Sequence, residues 1–370
     1  MGVSTVVTGH TGQVPLRVGV VGLDHYHVTG WVETLELFSD QLEIVALYDP
    51  NPAAGVRLAP RFVDPSLRLG IGERYRGLPV ETDLSVLIDR HALDLALVTL
   101  PNRDAPAAIA QLARAGVHLI VDKPAALDAA AAREAFATAR EAGVRVVTGL
   151  TRRYAPAWQA ARAAVAEGVL GTLITGAAVF AASTVAVRGP DNPIFDPVGA
   201  GGGILSWLGI HDLDALPWLV GEPVVEVMAM AGRVGHPGLQ VEDVISVALR
   251  FAGGAIFTLS HAYALPARGY RTLVALRGTA ASLEISGEDL VTLVPDPACD
   301  GLREVRSVYP VAPAPGYGAS GRDAVADLLA AIGEGRDPAA TGEDLVRALT
   351  LVDAAYASVR SGQTIRIVHN

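Results

Sequence analysis

The sequence predicts an α/β protein: a parallel-sheet domain followed by an α+β domain with a large, mostly antiparallel open sheet. Three observations carry this. Short apolar runs alternate with helix-length segments across residues 16–150, the pattern of strands joined by right-handed crossovers. Strand-like runs then succeed one another without helices between Val224 and Val294, as antiparallel strands do. The chain has 370 residues, enough to build two cores. We expect a loose leader over 1–15, a first domain over 16–150 and a second over 151–370, whose last segment is free to pack back on the first.

Taken in order, Arg17–Val21 reads as a buried strand, and a helix follows to Phe38. Glu43–Tyr48 is the second strand and ends in Asp49-Pro50. A helix near Pro52–Val63 precedes a polar stretch holding Gly70, Gly72 and Gly77. Thr82-Asp83 announces a helix to His91, and Leu93–Leu100 is a strand that stops at Pro101-Asn102. Helices at 106–115 and 129–142 flank the strand running into Lys123, and Arg145–Thr148 closes the domain. Beyond it lie a helix at 156–167, a strand at 172–182 and a Pro- and Gly-bearing loop at 183–200. The length of that loop suits a lid over a pocket. Gly201-Gly202-Gly203 opens a helix to Val220, six strand-like runs follow, and two helices and a short strand end the chain.

Composition removes several function classes. A net charge of −10 and a pI near 5.4 are wrong for a nucleic-acid binder, which needs a basic face. A single cysteine, Cys299, excludes an internal disulfide and suits a reducing compartment; without a base beside it we read it as inert. The first Lys or Arg is Arg17, and no apolar run reaches the ~18 residues of a membrane span. The expectation is a cytoplasmic protein that meets neither membrane nor nucleic acid.

Lys123 is the only lysine in a chain with 29 basic residues, and it stands where the strand Leu119–Val121 ends. Arginine cannot replace it as a compact, tunable charge. Strand ends of open α/β sheets are where ligands sit, so Lys123 is the expected centre of an active site. The strand–turn–helix–strand–acid unit at 17–49 is the start of a Rossmann-type dinucleotide-binding domain. Asp49 stands about 20 residues past the turn, where a carboxylate holds a ribose hydroxyl, which favours NAD over NADP. The turn, Gly22-Leu23-Asp24-His25, is irregular: Asp24 and His27 occupy positions where the fingerprint has glycine. Asp24 is suited to cap the following helix. His25, His27 and Asp24 offer three metal-type ligands without an evident fourth, so no metal is expected and the histidines shape the turn or meet a phosphate.

Val18–Gly22, Asp49, Pro101-Asn102, Asp122-Lys123-Pro124, Arg153-Tyr154, Gly201–Gly203, Gly209-x-His211-x-x-Asp214 and Val241–Asp243 occur together in one order. In that order and spacing the chain resembles the glucose–fructose oxidoreductase / inositol dehydrogenase / MocA (Gfo/Idh/MocA) family over residues 16–368. The resemblance implies an NAD(P)-dependent oxidoreductase that moves a hydride to or from a sugar, cyclitol or related small polar substrate. It implies a homodimer or homotetramer joined through the C-terminal sheet. Carried over by position, Lys123 bonds the reacting hydroxyl and His211 takes or gives the proton. Gly22, Leu23, Asp24, His25, Asp49, Pro101, Asn102 and Asp122 form the cofactor side. Arg153, Tyr154, Trp207 and Asp214 form the substrate side. Asp122 stands for the family's usual Glu, Ala105 for a common His, and Trp207 for the acid that other members place one helical turn before the histidine. Two uses are open to Trp207, a flat wall for a sugar ring or core packing. Three readings of the whole are likewise open: a dehydrogenase, a catalytically silent ligand-binding or regulatory member of the fold, or a member that uses a tightly held cofactor for elimination or hydrolysis. Arg268, Asp191 and Asn192 are further polar contacts to consider; Glu242 and Asp243 read as turn residues, and His261 and Tyr263 share one strand face.

Overall fold

The computed structural model describes residues 14–25, 27–51, 75, 77–265, 270–295 and 303–368. The helix expected at 52–63, Gly70, Gly72, Arg268 and Cys299 lie outside the described residues, as does the leader up to residue 13.

The first sheet is built from β1 (Leu16–Val21), β2 (Leu42–Tyr48), β3 (Val80–Glu81), β4 (Leu95–Val98), β5 (His118–Val121) and β6 (Val146–Thr148). Their spatial order is β3-β2-β1-β4-β5-β6, and every pairing is parallel. The helices on its faces include α1 (His27–Leu35), α2 (Leu84–His91), α3 (Ala105–Arg114) and α4 (Ala129–Glu141). All four residues of β4 are buried, as strands covered on both faces require. Asp83 caps α2 by accepting from Ser85 N, and Asp128 caps α4 by accepting from Ala131 N. The strand order reverses between β1 and β4, and ligands bind at the carboxyl ends of strands at such a point. Gly22 leaves β1 there at φ +99°; a Cβ on it would stand 2.6 Å from Leu100 N. Only glycine lets this turn cross the end of β4 so closely.

Helix α5 (Pro156–Ala166) and strand β7 (Leu173–Ala182) begin the second domain. The expected loop at 183–200 instead holds α6 (Thr184–Arg188), a 3₁₀ turn at Pro193–Phe195 and α7 (Pro197–Ala200). Two of the three prolines, Pro193 and Pro197, stand at first helical positions, and Asn192 and Asp196 cap the turns they open. Next come a π-helical turn at Leu205–Gly209 and α8 (Ile210–Val220). The strands β8 (Val224–Gly232), β9 (Val244–Phe251), β10 (Ile256–Ala262), β11 (Tyr270–Gly278), β12 (Ala281–Ser286), β13 (Leu290–Pro295) and β14 (Val305–Val308) follow. Helices α9 (Gly318–Glu334) and α10 (Gly342–Ser361) and strand β15 (Ile365–Arg366) end the chain.

The nine-stranded sheet runs β14-β13-β12-β11-β7-β10-β9-β8-β15. All of its pairings are antiparallel except β10 with β7. Strand β14 is the one element of this sheet absent from the sequence reading, because Val305-Arg306-Ser307-Val308 carries no apolar alternation at a sheet edge. Helix α9 docks on α1 through stacked Trp31 and Tyr317 rings, 4.3 Å between centroids. Thr148 N donates to Ala340 O at 2.8 Å, so the segment before α10 bonds to the end of β6. The last hundred residues thereby reach the strand ends of the first sheet.

Candidate active site

The Lys123 side chain enters the space between the two sheets from the end of β5 and is 4% exposed. Its ammonium donates to the Trp207 carbonyl at 2.5 Å and lies 5.4 Å from the centre of the Trp207 ring. That carbonyl belongs to the π-helical turn. The wider turn takes a carbonyl off the regular helical ladder, and such turns are frequent at functional sites. Burial pushes the Lys123 pKa down to about 8; Asp122 opposes this, and the charges of Arg188 and Arg152 add to it.

Asp122 accepts on both oxygens. Oδ2 takes a 2.7 Å bond with His27 Nδ1, and Oδ1 accepts from Trp31 Nε1 at 3.0 Å and from the Tyr317 hydroxyl at 3.4 Å. Burial alone would raise its pKa, but His27, His25 and Lys123 hold the carboxyl well below its ordinary range. His25 Nδ1 lies 3.7 Å from the same Oδ2 and accepts from His27 N at 3.3 Å. The His25 ring stacks on the Trp207 indole at 5.2 Å and 11°. Burial lowers the pKa of both histidines; the charge of His27 adds to this for His25, Lys123 and Arg188 add to it for both, and Asp122 opposes it.

His211 stands on the first turn of α8, and its Nδ1 is buried without a hydrogen-bond partner among the described residues. The Trp207 Nε1 is in the same condition. Burial, Lys123 and Arg152 push the His211 pKa well down, leaving a neutral imidazole that can accept a proton. Beneath it, Asp212 binds the Arg152 guanidinium on Oδ1 and has His261 Nε2 at 3.0 Å from Oδ2. These two partners outweigh burial and hold Asp212 at about 2.

The Gly-rich start of this segment has a physical reason. Gly203 N and Leu205 N donate to the Glu242 carboxylate at 2.8 and 3.1 Å, and the Tyr356 hydroxyl donates to the same group at 2.7 Å. Glu242 therefore caps the helix start from another part of the chain. A Cβ on Gly203 would lie 2.0 Å from Glu242 O.

The structure gathers Lys123, Trp207, His25 and Asp122 into one cluster and adds His27, Trp31 and Tyr317, while His211 stands beside it. Asp24 is exposed, so its carboxylate turns out from the cluster. Asp49 is buried and accepts from Leu23 N at 2.8 Å and Asn51 N at 2.9 Å, tying the turn after β1 to the end of β2. Asn102 is buried and donates to Ala200 O at 2.8 Å, while Pro101 beside it is exposed. Arg153, Tyr154 and Asp214 keep other company. Arg153 binds Asp214 at 2.5 and 3.0 Å, Asp344 at 2.9 Å and Ala339 O at 3.1 Å, and the Tyr154 hydroxyl donates to Asp327 at 2.9 Å. The sequence reading chose Arg153, whereas its neighbour Arg152 is the guanidinium whose charge reaches Lys123 and His211. Arg152, Asp212 and His261 come from three distant segments, and no spacing rule joins them.

Residues 16–150 match the model of the oxidoreductase family with an NAD-binding Rossmann fold, and residues 158–288 match the Gfo/Idh/MocA C-terminal domain. The 1,5-anhydro-D-fructose reductase of Ensifer adhaerens is 33% identical over 69% of this chain and 74% of its own length. The chain belongs to the Gfo/Idh/MocA family of oxidoreductases. A second relative in the family, the D-apiose dehydrogenase of Paraburkholderia graminis, is 28% identical over 89% of this chain and 84% of its own. Among solved Gfo/Idh/MocA folds, a levoglucosan dehydrogenase in complex with NADH and L-sorbose superposes with a TM-score of 0.80. It covers 97% of this chain and 100% of its own at 20% identity, which speaks to the fold alone. Among the described residues no helix is long and apolar enough to cross a membrane.

Proposed function

We propose that the protein is an NAD-dependent dehydrogenase or reductase of a sugar-like or cyclitol-like alcohol, with Lys123 and His211 managing the proton. The observation that carries this is the buried Lys123 ammonium at the end of β5, one strand from the β1/β4 crevice, with the charge of Lys123 reaching the His211 imidazole, whose Nδ1 has no partner among the described residues. Two curated relatives carry names of the same kind, a 1,5-anhydro-D-fructose reductase and a D-apiose dehydrogenase.

The residues present fit a nicotinamide dinucleotide. Gly22 supplies the close backbone turn at the switch point, Asp49 presents a carboxylate at the end of β2, and the buried Trp207 Nε1 and His211 Nδ1 await partners. Gly22–His25 would hold the phosphates, Asp49 a ribose hydroxyl, and Pro101-Asn102 the ring end. When bound, the nicotinamide supplies or accepts the hydride. Lys123, with three N–H groups, keeps its bond to Trp207 O while donating a second to the substrate oxygen. That bond favours the developing alkoxide, and the proton passes to neutral His211 or to the unprotonated fraction of Lys123. Trp207, braced by His25, presents an indole edge whose Nε1 can donate to a substrate hydroxyl.

Oligomer formation uses the outer face of the nine-stranded sheet. Met228, Ala248, Thr258, Ala177 and Ala275 stand in one cross-strand row, and Met230, Ser246, Ser260, Val179 and Leu273 in another. Met230 is 76% exposed and Met228 46%. A flat face of small and apolar side chains on a soluble sheet calls for a partner, here a second copy.

A second reading, ligand binding without turnover, is favoured by one feature: His25 and Trp207 already pack against each other at the Lys123 end. The experiment is calorimetry with NAD and NADP, followed by a screen of sugars and cyclitols for substrate-dependent NADH formation. Binding of NAD with turnover that disappears in Lys123→Met supports the dehydrogenase. No heat with either nucleotide overturns it, and binding without turnover on any sugar or cyclitol transfers the case to the second reading.

A further inference from the structure

Three donor atoms of the kind that ligates transition metals meet where the phosphate turn faces the end of β5. His25, His27 and Asp122 each offer one ligand atom, and these lie within 4.8 Å of one another. We propose that His25, His27 and Asp122 form a binding site for a divalent first-row transition cation. The sequence suggested Asp24 as the acid beside the two histidines; the structure turns Asp24 out to solvent and brings Asp122 from a strand some ninety-five positions later in the chain.

The separations suit a cation. Asp122 Oδ2 stands 2.7 Å from His27 Nδ1 and 3.7 Å from His25 Nδ1. Bonds of about 2.0–2.2 Å hold neighbouring ligands roughly 3–3.6 Å apart, so the three donors, all within 4.8 Å of one another, must draw together, and His25 Nδ1 gives up the bond it accepts from His27 N. The cation would take the place of the proton shared by His27 and Asp122. Two imidazoles with one carboxylate select zinc, manganese, iron or cobalt over magnesium and calcium, which prefer oxygen donors throughout.

The surroundings hold the donors as supporting groups of metal sites do. Trp31 Nε1 and the Tyr317 hydroxyl both donate to Asp122 Oδ1, which leaves Oδ2 directed at the imidazoles. His25 is fixed by its stack on Trp207, and His27 by edge contacts with His25 at 4.5 Å and Tyr317 at 5.5 Å. The nearby Lys123 ammonium opposes a second cation, but it is drawn off to the Trp207 carbonyl. Three protein donors leave coordination positions for oxygen atoms of a ligand bound in the crevice.

The test uses the full chain, freed of metal with a chelator and without nicotinamide, so that its outcome is independent of the dehydrogenase reading. Calorimetry with zinc, manganese and magnesium chloride is expected to give one zinc or manganese ion per chain and binding at least tenfold weaker for magnesium. Cobalt(II) is expected to develop the visible absorption of an imidazole-ligated ion. His25→Ala and His27→Ala should each weaken zinc binding at least tenfold and lose the cobalt bands, while His236→Ala leaves both unchanged. Because removal of His27 disturbs a buried bond, His25→Gln with an unchanged unfolding temperature serves as the second variant. Absence of saturable binding by zinc, manganese and cobalt, or binding that survives both alanine variants, overturns the site.

Discussion

Lys123 donates to the carbonyl of Trp207 at 2.5 Å, and the residue that accepts is itself stacked on His25. One ammonium thereby connects three segments: the end of β5, the π-helical turn of the second domain and the phosphate turn after β1. The bond orients Lys123 toward α8, where His211 begins the helix. Replacing it with arginine keeps the charge but puts a broad, always protonated group into a slot shaped for a compact one. We expect Lys123→Arg and Lys123→Met to lower kcat by about 10²–10⁴, the usual contribution of a positioned proton-transfer group. The NAD dissociation constant should stay within a few-fold, because the proposed function assigns the nucleotide to the Gly22 turn and Asp49 and not to Lys123. Steady-state kinetics with parallel calorimetry checks this; equal loss of nucleotide binding would show that Lys123 is a structural residue.

The same burial sets a pH dependence. The folded pKa of Lys123 is about 8 against 10.5 for a free lysine. Between those values the unfolded chain binds a proton that the folded chain has released, so this group's contribution to stability rises with pH across that window. The penalty of roughly 3 kcal/mol is fully present below pH 8 and relieved toward 10.5. If the neutral amine of Lys123 takes the proton, alcohol oxidation shows a kcat/KM limb that rises through pH 8 and is missing in Lys123→Met; a limb that falls through pH 8 assigns the working form to the ammonium and the proton to His211. Denaturant midpoints of the wild type, but not of that variant, should carry the corresponding upward slope.

Much of this was legible in the chain. Lys123 announced itself as the only lysine at a strand end, and alternation of strands and helices gave five of the six strands of the first sheet; the two-residue β3 and the order in space were not read. The ion pairs below the site were not legible, because Arg152, Asp212 and His261 are brought together only by packing. His261 and Tyr263 were read as sharing a face; which face depended on β10 lying parallel to β7, a tertiary fact. The sequence did not separate two adjacent arginines whose side chains leave a 3₁₀ turn in different directions, Arg152 to Asp212 and Arg153 to Asp214. The turns at Pro193–Phe195 and Pro197–Ala200 were hidden because prolines at first helical positions look like breakers, and Thr184–Arg188 because a helix of five residues is too short to show a period.

Asp212 tests the buried network. With Arg152 on one oxygen and His261 on the other, Asp212→Asn leaves a guanidinium buried without its counter-charge, a loss of about 3–5 kcal/mol. Its pKa is lowered from the usual carboxylate value of 3.8 to about 2. The stabilisation is therefore complete above pH 3.8 and is lost as pH falls toward 2. Thermal unfolding of Asp212→Asn should show a lower Tm at pH 7 and a difference from wild type that shrinks across that acid window. A constant difference down to pH 2 would place the charge elsewhere.

Asp49 is expected to set nucleotide preference. Its carboxylate stands at the end of β2, where a 2′-phosphate would meet a negative charge. It also braces Leu23 N, so removing it loosens the turn. Asp49→Ser should weaken NAD binding by about tenfold and narrow the gap to NADP, since the repulsion disappears with the contact. Calorimetric titration of both nucleotides reads the ratio, and an unchanged ratio would remove Asp49 from the ribose site.

The outer face of the nine-stranded sheet gives the last prediction. Met228 faces Ala248 across the β8–β9 pair, and Met230 faces Ser246. Inner-face neighbours on the same strands, Val227 and Ala229, are buried under α10 and the core. A charge at Met230 thus changes the outer surface without touching the interior. If two copies meet through this face, Met230→Glu places like charges near the two-fold contact and removes exposed apolar area, at about 25 cal/mol per Å². We expect the variant to shift from dimer or tetramer to a smaller species by light scattering, with its unfolding temperature at high concentration lowered and its lost concentration dependence matching the change in mass. Arg250→Glu on the same face, 48% exposed and paired with Glu226 at 2.9 Å, changes charge at the strand end and should weaken assembly less. Wild-type protein that runs as a monomer at all concentrations would leave the face without a partner and end this proposal.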